Sequence, residues 1–126
     1  MKQYIILAGA LLLVISLNCM QLSFLKNTGQ DMLDMLGVIS ESIQEENFTK
    51  AEEKLKDLNE KWEEVKARWD ILTEHDDVEE LESHLASIEA YIFNEEMTDG
   101  MVEVAILKQR IEHIIQNETL SFSTIF

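Results

Sequence analysis

The chain has no proline and only four glycines among its 126 residues. Proline and glycine are the two residues that most oppose a helix, so little in this sequence interrupts one over long stretches. Straight-chain Leu, Glu, Lys and Met, together with Ile, fill the space instead, and composition alone points to an all-α protein. The glycines are scattered and form no phosphate-cradling loop. Cys19 is the one cysteine, which excludes an internal disulfide and a cysteine-built metal site. Positive charge is scarce as well: 10 basic residues face 25 acidic ones, for a formal net charge of −15. A nucleic-acid binder needs a positive footprint, so nucleic acid is not an expected partner.

Chemistry-bearing patterns are equally thin. There is no G-x-S-x-G around a serine nucleophile, and Cys19 lies in an apolar stretch rather than beside a base. The histidines are His75, His84 and His113. A di-iron bundle would place Glu three residues before two of them, but Leu72, Leu81 and Arg110 stand there. His84 and His113 as a metal pair have only neighbouring glutamates in their favour, which are common on solvated helix faces. The cluster His75-Asp76-Asp77 with Glu79, Glu80 and Glu82 lacks the spacing and glycine of a calcium loop, and reads as a turn and a solvated helix start. No catalytic residue, metal or cofactor is expected.

What the sequence does contain begins at its N-terminus. MKQYIILAGALLLVISLNCMQLSFLK carries a lysine near each end, and Tyr4 to Leu25 would extend about 33 Å as a helix, enough to cross a bilayer core. The purely apolar part, Tyr4 to Ile15, also has the length of a signal-peptide core. A cleavage site would show small residues at paired positions, and no good pair follows Leu17. A lipid-modified Cys19 would want a small residue before it, where Asn18 stands. A retained anchor fits best. Lys2 and the N-terminal amine then stay in the cytoplasm, and the acidic remainder lies outside.

Beyond the anchor the apolar residues recur at steps of three and four, the signature of one helix face. Leu22, Leu25, Gly29, Met32, Leu36, Ile39 and Ile43 form one such face, so the first helix is expected to leave the membrane unbroken and reach about Gln44, with a kink near Gly29. A second helix, capped by Thr49 with Glu52 or by Asn47, is expected to about Leu72. Its face is Ala51, Leu55, Leu58, Trp62, Val65, Trp69 and Leu72, flanked by i,i+4 pairs Glu52–Lys56, Asp57–Lys61 and Glu64–Arg68. Trp62 and Trp69 thus occupy equivalent heptad positions. They read as large residues in a packing seam, each indole N–H meeting a polar partner at its edge, rather than as an aromatic platform.

Asp76 or Asp77, with Glu80, would cap a third helix after a connection of about five residues, which makes an antiparallel hairpin. Val78, Leu81, Leu85, Ile88 and Ile92 are its stripe. Asp99-Gly100 is expected as the next turn, and a fourth helix to about Asn117 buries Met101, Val104, Leu107, Ile111 and Ile114. The tail keeps Leu120, Phe122, Ile125 and Phe126, and is expected to pack back on the bundle. No obvious repeat divides the chain.

NFTKAEEKLKDLNEKWEEVKARW, EHDDVEELESHLASIEAYI, LKQRIEHI and the terminal TIF together resemble a family of short bacterial proteins of unknown function, mostly from Gram-positive bacteria. Its members share an N-terminal hydrophobic segment, Trp-x6-Trp, a His-Asp turn, a Leu-Lys followed by His-Ile, and an Ile-Phe end. Thr124 stands where that pattern has asparagine. The resemblance supports membrane attachment and these boundaries, and implies no enzymatic activity.

The expected architecture is residues 1–25 as membrane anchor and 26–126 as an acidic antiparallel bundle of three to four helices. The expected role is a single-pass, extracytoplasmic interaction or accessory subunit without catalysis. Its partners would be the membrane and a protein, another membrane protein or a second copy of itself. The alternative is a sensor whose site Trp62 and Trp69 would line. Trp62, Trp69, His75, Phe122 and Phe126 are the residues singled out for structure or interaction.

Overall fold

The computed structural model describes residues 1–125, apart from the side chain of Ile125; Phe126 lies outside the described residues. Four helices make up the chain: α1 (Lys2–Gln44), α2 (Phe48–Leu72), α3 (His75–Phe93) and α4 (Met97–Ile125). No β-strand occurs among the described residues. α1 packs on α2 and α4, and α3 packs on the same two, so the helices form a ring around one core. Short connections force successive helices to run antiparallel.

The core is built from the stripes read in the sequence. Leu25, Met32, Leu36, Ile39 and Ile43 come from α1, and Leu55, Leu58, Trp62, Val65 and Trp69 from α2. Leu81, Leu85, Ile88 and Ile92 from α3 meet Val104, Leu107, Ile111 and Ile114 from α4. α1 runs unbroken through Gly29. What Gly29 provides is room: a Cβ there would collide with the Ile115 side chain of α4. The hydroxyls of Thr28 and Ser42 are buried in this face and donate to the carbonyls of Phe24 and Val38, both at 2.8 Å.

Several boundaries differ from the sequence expectation. Asn47, not Thr49, caps α2, its Oδ1 accepting from the Lys50 amide at 3.2 Å. α3 begins at His75 behind Glu74, which makes no side-chain cap, and Asp76 and Asp77 sit in its first turn, where carboxylates favour the positive helix end. The third turn is Asn94–Glu96, and Gly100 is a buried residue inside α4 against Ile43 and Tyr91. α4 continues to Ile125 as helix instead of ending near Asn117 and folding back. The expected ion pairs along α2 give way to cross-helix contacts. Lys61 lies 3.7 Å from Asp31 of α1, and Arg68 also reaches α1, because both residues border the seam and their long stems span it.

The chain does contain a repeat. α1–α2 and α3–α4 are two copies of one hairpin offset by 49 residues, from Glu46 to Glu95. Ile43, Ala51, Leu55, Leu58, Trp62 and Val65 correspond to Ile92, Gly100, Val104, Leu107, Ile111 and Ile114, and every member is buried. The turns match bond for bond: Asn47 N–H donates to Ser42 O, and Glu96 N–H to Tyr91 O, both at 2.9 Å. Sequence comparison misses the repeat because only apolarity, hardly any identity, is kept.

Each turn passes through a left-handed residue, Glu46 at φ 58° and Glu95 at φ 54°. The pattern is a Schellman cap with glutamate where glycine is usual. A Cβ in this region costs about 1 kcal/mol. Glu46→Gly and Glu95→Gly should each raise stability by roughly 0.5–1 kcal/mol in chemical denaturation of the detergent-solubilised chain. Glu45→Gly, at φ −81°, should lower it.

Candidate functional site

α2 places its two tryptophans one heptad apart, so both point into the ring of helices. Trp62 is 2% exposed and Trp69 0%. Their ring centroids lie 5.8 Å apart with the planes at 75°, an edge-to-face contact. Trp69 Nε1 donates to Thr28 Oγ1 of α1 at 2.9 Å, and that hydroxyl in turn donates to the Phe24 carbonyl at 2.8 Å. Trp62 differs from the sequence expectation: its Nε1 is buried without a hydrogen-bond partner among the described residues. Trp62 instead packs edge-to-face against Trp69.

The other singled-out residues lie apart from this pair. His75 is exposed at the start of α3, with Nδ1 2.8 Å from Asp70 and Nε2 3.1 Å from Glu79. Phe122 is half-buried near the end of α4, beside a hollow whose walls include Asn18, Leu22 and Leu25 of α1 and Ile71 and Leu72 of α2. Phe126 lies outside the described residues. The structure therefore gathers Trp62 with Trp69 and leaves His75 and Phe122 elsewhere. His84 and His113 take different partners, Glu103 of α4 at 2.6 Å and Asn117 at 3.2 Å. Arg110 completes the polar seam between α3 and α4 by contacting Glu80 at 2.9 Å. No group of three or more metal-ligating side chains converges among the described residues.

Two surface features escaped the sequence reading. Ile71 and Phe93, 82% and 83% exposed, each stand next to a stripe residue at the end of a helix. Adjacency to Leu72 and Ile92 hides them, since a run of two apolar residues reads as core. Phe93 borders a hollow between α2 and α3 floored by Leu55 and Ile92 and rimmed by Glu52, Glu53, Lys56 and Glu89. A second hollow, between the start of α3 and the end of α4, gathers Glu74, Asp77 and Glu118. Burial, and then the charges of Glu74 and Asp77, push the Glu118 carboxyl above its ordinary value of 4.5.

α1 is long and apolar enough to cross a membrane, and its most apolar stretch lies entirely outside the core. The fold thus defines a class: a four-helix bundle of two antiparallel hairpins whose first helix is extended by a free segment of membrane length. Residues 19–125 match the family described as Domain of unknown function (DUF4363), and the chain belongs to that family. No curated protein and no solved structure matches it.

The seam makes a differential prediction. Trp62→Ala and Trp69→Ala should each cost about 3–5 kcal/mol through the cavity left behind. Trp69→Phe should cost about 1 kcal/mol more than Trp62→Phe, because only Trp69 gives up a hydrogen bond; thermal melts followed by circular dichroism check both.

Titration gives another. The hydrogen bond from Asp70, with its charge and that of Glu79, raises His75 above 6.5. The stabilisation is complete below the unfolded value and is lost as pH rises through the folded one. Asp70→Asn should lower the His75 midpoint in an NMR titration. Glu118 has the opposite consequence: its penalty is absent below 4.5, grows as pH rises above that value and is complete once pH exceeds the raised value. Glu118→Gln should therefore raise the melting temperature at pH 7 and leave it unchanged at pH 4.

Proposed function

We propose that this protein is a membrane-tethered, extracytoplasmic interaction subunit without catalytic activity. The observation that carries the reading is the division of α1. From Tyr4 to Leu17 its large apolar side chains are mostly exposed, while from Leu25 to Ile43 the same helix supplies one quarter of the bundle core. Exposed apolar surface on that scale is unfavourable in water and natural in lipid. Lys2 at the outer end of the segment favours a cytoplasmic N-terminus, which puts the acidic bundle on the other side. That bundle's strong negative charge and filled core suit a protein that binds partners through its surface. A ligand-sensing role would use the α2–α3 hollow, since Trp62 and Trp69 become accessible only if the bundle opens.

The full-length chain should sediment with membranes and require detergent for release. A soluble form starting after residue 18 would overturn the anchor, and a mature form beginning at lipid-modified Cys19 would replace it. In a Cys19→Ser background, a cysteine at exposed Glu96 in the α3–α4 turn should react with an impermeant thiol reagent in intact cells. Reaction only after lysis would place the bundle in the cytoplasm.

A further inference from the structure

The join between the free half of α1 and the bundle leaves no room for a stalk. α1 is continuous across it, and the hollow that takes in Asn18 also takes in Leu72 of α2 and Phe122 of α4. The bundle therefore begins beside Asn18. As helix, the uncharged residues between Lys2 and Asn18 span about 22 Å, whereas a hydrocarbon core is about 30 Å thick. An α1 that crosses the membrane must bring the end of the bundle into the lipid boundary.

The side chains at that end suit such a place. Ile71, 82% exposed, closes α2, and Leu120, 58% exposed, stands on the last turns of α4. From Thr119 to Thr124 α4 carries no charged side chain, although Glu118 with Glu74 and Asp77 lines a hollow beside Leu120. Arg68 lies at the same level. Its guanidinium sits 3.5 Å over the Phe24 ring, and its Nη2 donates to Gln21 Oε1 at 3.0 Å, a cation held where phosphate headgroups would lie. The exposed apolar surface of α1 is continuous with this end.

We infer that the membrane-proximal end of the bundle is itself a lipid-binding surface, with Ile71 and Leu120 inserted at the boundary between headgroups and acyl chains. The inference rests on the reading of α1 as a retained membrane span. It makes the bundle a body seated on the bilayer at a fixed height rather than one swinging on a tether. The acidic start of α3, with Asp76 and Asp77 exposed or half-exposed beside it, favours zwitterionic over anionic lipid.

The test uses the full chain, in a Cys19→Ser background, reconstituted into phosphatidylcholine vesicles. Single cysteines at Ile71, Leu120 and Glu96 carry a nitroxide spin label, read by collision with oxygen and with a water-soluble nickel chelate. The expected result is a several-fold higher oxygen-to-chelate ratio at Ile71 and Leu120 than at Glu96. Equal ratios at all three sites, in protein that floats with the vesicles, overturn the inference and leave the anchor standing. Protein that fails to float overturns both. Spin–spin broadening at Leu120 that vanishes on dilution with unlabelled chain would mean a second copy covers this end, and would overturn the lipid assignment as well.

Discussion

α1 is one helix with two surroundings: its N-terminal part lies outside the core and its C-terminal part inside it. A helix kinks sharply only where its hydrogen-bond ladder is disturbed, and α1 is continuous from Lys2 to Gln44. Its free segment and its core segment are therefore directly coupled, with no flexible joint between them. The residues change character where the surroundings change. Apolar residues surround the helix from Tyr4 to Ile15, and from Leu25 they retreat to one stripe. Thr28 and Ser42, buried in that stripe, keep their hydroxyls on the helix's own carbonyls and so add no unpaired group to the core. Gly29, beside Thr28, lets α4 approach closely enough for Ile115 to pack against α1.

Much of this was legible in the sequence because α-helical periodicity is a strong signal over long elements. The stripe from Leu55 to Trp69 and the stripe from Leu81 to Ile92 could be read directly and are the core. The ends were harder. Asp99-Gly100 reads as a turn, but the chain turns at Glu95, where glutamate accepts a left-handed conformation. The reason is that the cap is fixed by its backbone bonds and by Ile92 at the end of the core stripe, not by a glycine. Gly100 is needed elsewhere, under Ile43 and Tyr91. The site was less legible than the fold. Heptad spacing put Trp62 and Trp69 in the seam, yet nothing in the spacing tells that Thr28, far away in sequence, accepts from one indole and that the other has no such acceptor.

The two hairpins agree along most of their length and part company at the end where the free segment of α1 enters the bundle. Under the offset of 49 residues that relates Glu46 to Glu95, Leu25, Thr28 and Trp69 correspond to Glu74, Asp77 and Glu118. In the first hairpin those positions close the end with an indole hydrogen-bonded to a buried threonine. In the second they line an open hollow with three carboxylates, whose mutual repulsion helps hold Glu118 above its ordinary value. One backbone plan thus carries opposite chemistry at equivalent places. The dry, packed triad lies on the hairpin whose first helix carries the free apolar segment. The acidic triad lies on the hairpin with no such segment. The repeated hairpin thus diverges at one end while its core stays alike.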